Sequence, residues 1–194
     1  MSYLIHVSIL TMLVTFLHEF GHALAVILTG GHVLSIQVNP DGSWACTSSG
    51  GIRPIIEAGG YLGSILFGNI IIYVGIKHNT LPRIVLFILG SALMVSSFLW
   101  YSNLVSFAFT MLAGIFNMGL ALYSRVVSKA ITVVTGLYSV VYIIIDYNVG
   151  PTADLQAFSG IIPAIVWMYI WLAIAVAMTG TNIYWILFRR KNHG

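Results

Sequence analysis

Charged side chains are scarce: of 194 residues, eight are Lys or Arg and five are Asp or Glu, 7% in all. A soluble domain carries about 25% charged residues, because its surface must meet water. So few charges cannot cover a globular surface of this length, which excludes an ordinary soluble fold. Acid is the scarcer sign, yet the net charge is only +3 and is dispersed along the chain. No basic patch of the kind that holds nucleic acid results, so no nucleic-acid partner is expected. A single cysteine, Cys46, excludes an intramolecular disulfide. Internal repeats, low-complexity segments and a separate soluble domain are also absent, so residues 1–194 read as one integral membrane domain.

What is present is apolar: 59% of residues are hydrophobic and the mean hydropathy is +0.97. The apolar runs are continuous and long, as bilayer-spanning helices require and barrel strands do not. Six spans are expected, over about Tyr3 to Leu28, Pro54 to Ile76, Ile84 to Trp100, Leu104 to Leu122, Ala130 to Tyr147 and Ile162 to Phe188. The first is longer than the apolar core of a signal peptide, so it is expected to be retained. Between the first two spans the period changes. Val33, Ser35 and Gln37 alternate with Leu34, Ile36 and Val38, and Asn39-Pro40-Asp41-Gly42 supplies a turn signal before Ser43 to Ser49. A β-hairpin at the membrane surface, or dipping in beside protein, is predicted there. The fold class is therefore all-α and polytopic, with about six transmembrane helices and one short hairpin after the first.

An even number of spans puts both termini on one side. That side then holds Lys77, Arg83, Arg125, Lys129, Arg189, Arg190 and Lys191, with Arg53 alone opposite. The positive-inside rule makes the termini cytoplasmic and places the hairpin at the other face.

The first span carries the chemistry. His18 and His22 are one helical turn apart and lie on one face, a spacing that lets two imidazoles hold a single Zn²⁺. Glu19 beside them can serve as a general base toward water. With six His in the chain, chance yields only about 0.002 matches to H-E-x-x-H. A Glu and two His in a greasy span are costly to bury and mark function. His6 is twelve residues, about 18 Å, before His18 along a helix and cannot share that ion.

The candidates for a third metal ligand are Asp154, which follows the Gly150-Pro151 break, and Asp146, at the end of the fifth span. As alternatives, Asp154 reads as a helix N-cap and Asp146 as an interfacial carboxylate. Asp41 lies in the Asp-Gly turn of the hairpin and is disfavoured on that ground. Glu57 reads as the i+4 partner of Arg53. The small-residue run Ala58 to Gly63 suits close helix contact. Asn69, Asn103 and Asn117 read as hydrogen-bonding groups between helices.

His18-Glu19-Phe20-Gly21-His22-Ala23 followed by Leu28-Thr29-Gly30-Gly31 resembles the site-2 protease family of intramembrane zinc metallopeptidases, in its small M50B-like branch. The hairpin, the Ala58 to Gly63 run and the region Asp146 to Trp171 agree with that resemblance. It implies an ion held by two His and one Asp, Glu19 as general base, and cleavage of a single-span membrane-protein substrate that pairs with the hairpin as an added strand. Asp154 is not followed by Gly here, a departure from the family pattern. The competing reading is a non-hydrolytic metal-binding membrane protein, a transporter or scaffold keeping the fold. A transporter needs polar groups along a path through several spans, whereas these cluster at one depth.

Overall fold

The computed structural model describes residues 9–38, 44–101, 103–147 and 163–188. Among them the chain forms helix α1 (Ile9–Leu28), strands β1 (His32–Val38) and β2 (Trp44–Ser49), and helices α2 (Arg53–Lys77), α3 (Leu81–Leu99), α4 (Leu104–Tyr123), α5 (Arg125–Tyr147) and α6 (Ala164–Phe188). This is the expected all-α membrane architecture with a hairpin after the first helix. Five of the helices, all but α5, are long and apolar enough to cross a membrane. His6, Asp41 and Asp154 lie outside the described residues.

Local chemistry sets the boundaries. α1 stops at Gly30, whose φ of +81° is left-handed, and Gly31 N–H returns to Val26 O at 2.8 Å. α2 and α3 each open with Pro in the first turn, where its missing N–H costs nothing. Asn103 caps α4, its side chain accepting from Ser106 N–H at 2.8 Å. One boundary differs from expectation. Arg125 to Lys129 is not a loop but the first turn of α5, with only Ser124 between α4 and α5. The extended Ser124 turns the chain, and its carbonyl accepts from both the N–H and the hydroxyl of Ser128, at 2.9 and 2.7 Å.

Burial divides the helices. α1 is the inner one, with Met12, Leu13, Val14, Phe16, Leu17, Ala23, Ala25 and Val26 all buried. α6 is the outer one, most of its large apolar side chains facing outward. α5 packs against every other helix. That position explains its lower hydropathy: Ser128, Thr132, Thr135 and Ser139 are fully buried on it and face helices rather than lipid. Thr132 donates to Pro82 O at 3.3 Å and Ser139 to Ser64 O at 3.1 Å. The helices meet where glycines allow backbone contact, at Gly21 with Gly59 and Gly63, at Gly68 with Gly136, and at Gly90 with Gly114.

The antiparallel hairpin pairs His32 with Ser49 through to Val38 with Trp44, with a bulge that leaves out Leu34. It packs on α1, and β1 also reaches α3 and α4, with Ile36 and Cys46 against Phe16, Phe20 and Trp100 in one apolar cluster. At the far end of the bundle Arg83 and Lys77 cap helix C-termini, and Lys129 bonds the α2–α3 connection. Arg83 donates to Ala121 O and Leu122 O at 2.7 and 2.9 Å, Lys77 to Ile186 O at 2.6 Å, and Lys129 to Asn79 Oδ1 at 3.3 Å. Arg53 sits at the opposite, hairpin end and pairs with Glu57 at 3.3 Å, as the i, i+4 spacing predicted.

Candidate metal centre

The helix α1 contains no proline, its one glycine, Gly21, sits at a close contact with α2, and its apolar side chains have neighbours on nearly all sides. That burial carries His18, Glu19 and His22 inward with it, at 6%, 7% and 6% exposure. Opposite them is Gly60, seven residues into α2 and therefore about 10 Å in from the hairpin end of the bundle.

The two imidazoles converge as their spacing predicted. His18 Nε2 and His22 Nε2 are 3.1 Å apart, with the rings edge to face. Both rings are held from behind by α2. His22 Nδ1 is 2.7 Å from Ile56 O, and because a carbonyl only accepts, Nδ1 carries the hydrogen and Nε2 keeps its lone pair. His18 Nδ1 is 3.2 Å from Ser64 Oγ. This is the outer-shell arrangement that orients metal-binding histidines. The separation also fits: two nitrogens bound to one tetrahedral zinc at about 2.0–2.1 Å stand about 3.3 Å apart.

α2 leaves room for this only because residue 60 is glycine. A Cβ there would overlap His22 Nε2 and stand 2.6 Å from His18 Nε2. Tyr61, fully buried, meets the His18 ring edge to face at 5.2 Å between centroids and stacks on Trp171 at 6.5 Å, which stacks in turn on Trp167 at 6.1 Å. From α5, Tyr142 approaches the same imidazole at 6.2 Å. The hairpin packs on the same helix, α1. Burial, and secondarily the Glu19 carboxylate, push the Cys46 thiol of β2 up to about 12.

The sequence singled out the three motif residues; the structure brings the two imidazoles together and buries Glu19 beside them in the chain. It did not single out Gly60, Tyr61 or Ser64, whose only signal was the small-residue run they belong to or adjoin. Asn69 bridges helices as expected, donating to Thr179 Oγ1 at 3.2 Å, while Asn182 donates to Asn69 O at 2.8 Å, tying α6 to α2. Asn103 is a cap, and Asn117 donates to Ala113 O in its own helix at 2.8 Å. Asp146 belongs to α5 four residues beyond Tyr142; its side chain, like all of Asp154, lies outside what is described. Among the described residues no group of three or more His, Cys, Asp or Glu gathers to hold a metal.

A bundle of apolar helices with an imidazole pair and a carboxylate buried at one depth defines an integral membrane protein with a built polar centre. The chain belongs to the Peptidase M50B-like family, whose description matches residues 2–181. This is a protease family, and its membrane helices imply a bilayer setting and membrane substrates. No curated protein and no solved structure matches the chain.

Proposed function

We propose that this protein is an intramembrane zinc metalloprotease that hydrolyses a peptide bond of a membrane-embedded, single-span substrate. The observation that carries the reading is the His18 and His22 pair: two Nε2 atoms facing each other at 3.1 Å, each ring held through Nδ1 by α2. When both Nδ1 atoms carry the hydrogens, two lone pairs meet in a buried site, an arrangement a cation stabilises. His18 and His22 would hold the zinc together with one aspartate, Asp146 or Asp154. When bound, zinc polarises a scissile carbonyl and lowers the pKa of a coordinated water toward about 7.

Glu19 would take the proton from the attacking water and return it to the leaving amine. Its burial keeps competing water away and strengthens every charge interaction around it. The hairpin supports substrate recognition. An extended peptide added along β2, which packs on the helix that carries His18, Glu19 and His22, would bring its backbone toward the imidazole pair. On the positive-inside rule, the basic residues at the other end of the bundle favour cytoplasmic termini and a centre nearer the outer face.

The test follows zinc content and cleavage of a single-span substrate in liposomes on the same samples. The wild type should hold about one zinc and cleave. Glu19→Gln should keep zinc and lose about 10²–10⁴-fold in rate, while His22→Ala should lose both. Asp146→Asn and Asp154→Asn identify the third ligand by which of them loses zinc. Equal zinc in wild type and His22→Ala refutes the metal site. Equal cleavage by wild type and Glu19→Gln refutes the mechanism. Zinc held without cleavage of any membrane substrate would favour the non-hydrolytic binding protein.

A further inference from the structure

The two histidines are supported by chemically different partners. Ile56 O can only accept, so it locks His22 with hydrogen on Nδ1. Ser64 Oγ can donate or accept, so this bond holds His18 without by itself fixing the tautomer. Only when Ser64 accepts does His18 present a free Nε2 toward the ion. When Ser64 donates instead, the hydrogen sits on His18 Nε2 and can be given to His22 Nε2, 3.1 Å away. The serine itself is fully buried, and its backbone carbonyl accepts from the hydroxyl of Ser139, also fully buried, at 3.1 Å. One line of hydrogen bonds therefore runs from α5 through α2 to α1. It starts on the helix that also brings Tyr142 to the same imidazole.

We propose that Ser64, braced by Ser139, is a positioning residue that turns His18 into a metal ligand through Nε2 and so sets the affinity of the site. This rests on the zinc reading above. Ser64 Oγ is the buried hydroxyl that meets His18 Nδ1, so an alanine at 64 removes that hydrogen bond from the ring. Ser139 acts one step removed: its bond to the Ser64 carbonyl holds the α2 backbone from which the serine hydroxyl reaches His18.

The experiment is a zinc competition titration of the full-length protein with a chromophoric chelator. Ser64→Ala should weaken zinc about 10–100-fold, as loss of an outer-shell partner does, and Ser139→Ala should weaken it less. Ser97→Ala is the control, because Ser97 is also buried and hydrogen-bonded, to Thr110 in the α3–α4 seam. It should leave zinc affinity unchanged. A wild-type measurement stands beside the variants in case Ser64→Ala does not fold: ¹⁵N spectra of cadmium-loaded protein should show ¹¹³Cd coupled to Nε2 of His18, with hydrogen on Nδ1. Ser64→Ala affinity within about twofold of wild type, or coordination of His18 through Nδ1, overturns the proposal while leaving the zinc site intact. A wild type that binds neither metal overturns the zinc reading and this inference with it.

Discussion

Gly60→Ala adds one methyl group at the most crowded point of the centre. An ideal Cβ at residue 60 would stand 2.6 Å from His18 Nε2, 2.7 Å from His18 Cε1 and closer still to His22 Nε2, where ordinary contact begins at 3.4 Å. Each ring must therefore retreat by roughly 1 Å, and metal–ligand distances tolerate about 0.2 Å. Retreat also pulls His22 from Ile56 O and His18 from Ser64 Oγ, hydrogen bonds worth about 0.5–1.5 kcal/mol each. The alternative is for α2 to move away from α1, but that parting opens the close glycine contact between the two helices at Gly21 and Gly59. On either route the imidazole pair is lost as a chelate. Zinc affinity should fall by more than the roughly 10–100-fold typical of an outer-shell change. Gly119→Ala and Gly180→Ala are the controls. Nothing lies within 4 Å of a Cβ at either position, so both should bind zinc normally and stabilise their helices by up to about 1 kcal/mol. Elemental analysis and chelator competition on the three purified variants decide the matter. Full zinc occupancy at wild-type affinity in Gly60→Ala would refute the placement of the ion between His18 and His22.

Gly136→Ala puts a Cβ 2.8 Å from Gly68 O and from Ile72 N, backbone atoms that cannot turn aside; overpacking of about 1–3 kcal/mol should appear as a lower unfolding temperature in detergent, and an unchanged one would argue against the α2–α5 contact. Cys46 should react with iodoacetamide at pH 8 on the order of 10²–10³-fold more slowly than an exposed thiol, because burial first and Glu19 second hold it protonated. Glu19→Gln should quicken that reaction without making it fast, and alkylation at the rate of a free thiol would remove the hairpin from the Glu19 side of the centre. A reporter fused after Gly194 should be active only in the cytoplasm, and activity outside it would reverse the orientation.

Hydropathy and spacing alone determined most of the architecture. A long run of apolar residues must make its hydrogen bonds within the segment, so the helices, their approximate ends and their order are written locally. Period-2 alternation on either side of Asn39-Pro40-Asp41-Gly42 located the hairpin in the same way, and the i, i+4 geometry of one helix brought His18 and His22 together without help from the rest of the chain. The start of α5 was hidden because Arg125 and Lys129 look like a loop, and only the neighbouring helix ends show why such residues begin a helix there.

What tertiary structure alone decided is the surroundings of the motif. Gly60, Tyr61 and Ser64 look like any small or aromatic residues of a membrane span until α2 crosses α1 at Gly21 and Gly59. That crossing depth sets one as the space for the imidazoles, one as a wall and one as a hydrogen-bond partner. The polar face of α5 was ambiguous for the same reason: Ser128, Thr132, Thr135 and Ser139 count against a membrane span in a hydropathy sum, yet they are buried against other helices. A sum along the chain cannot distinguish a hydroxyl facing lipid from one facing a carbonyl of the next helix, because that difference exists only once the helices have packed.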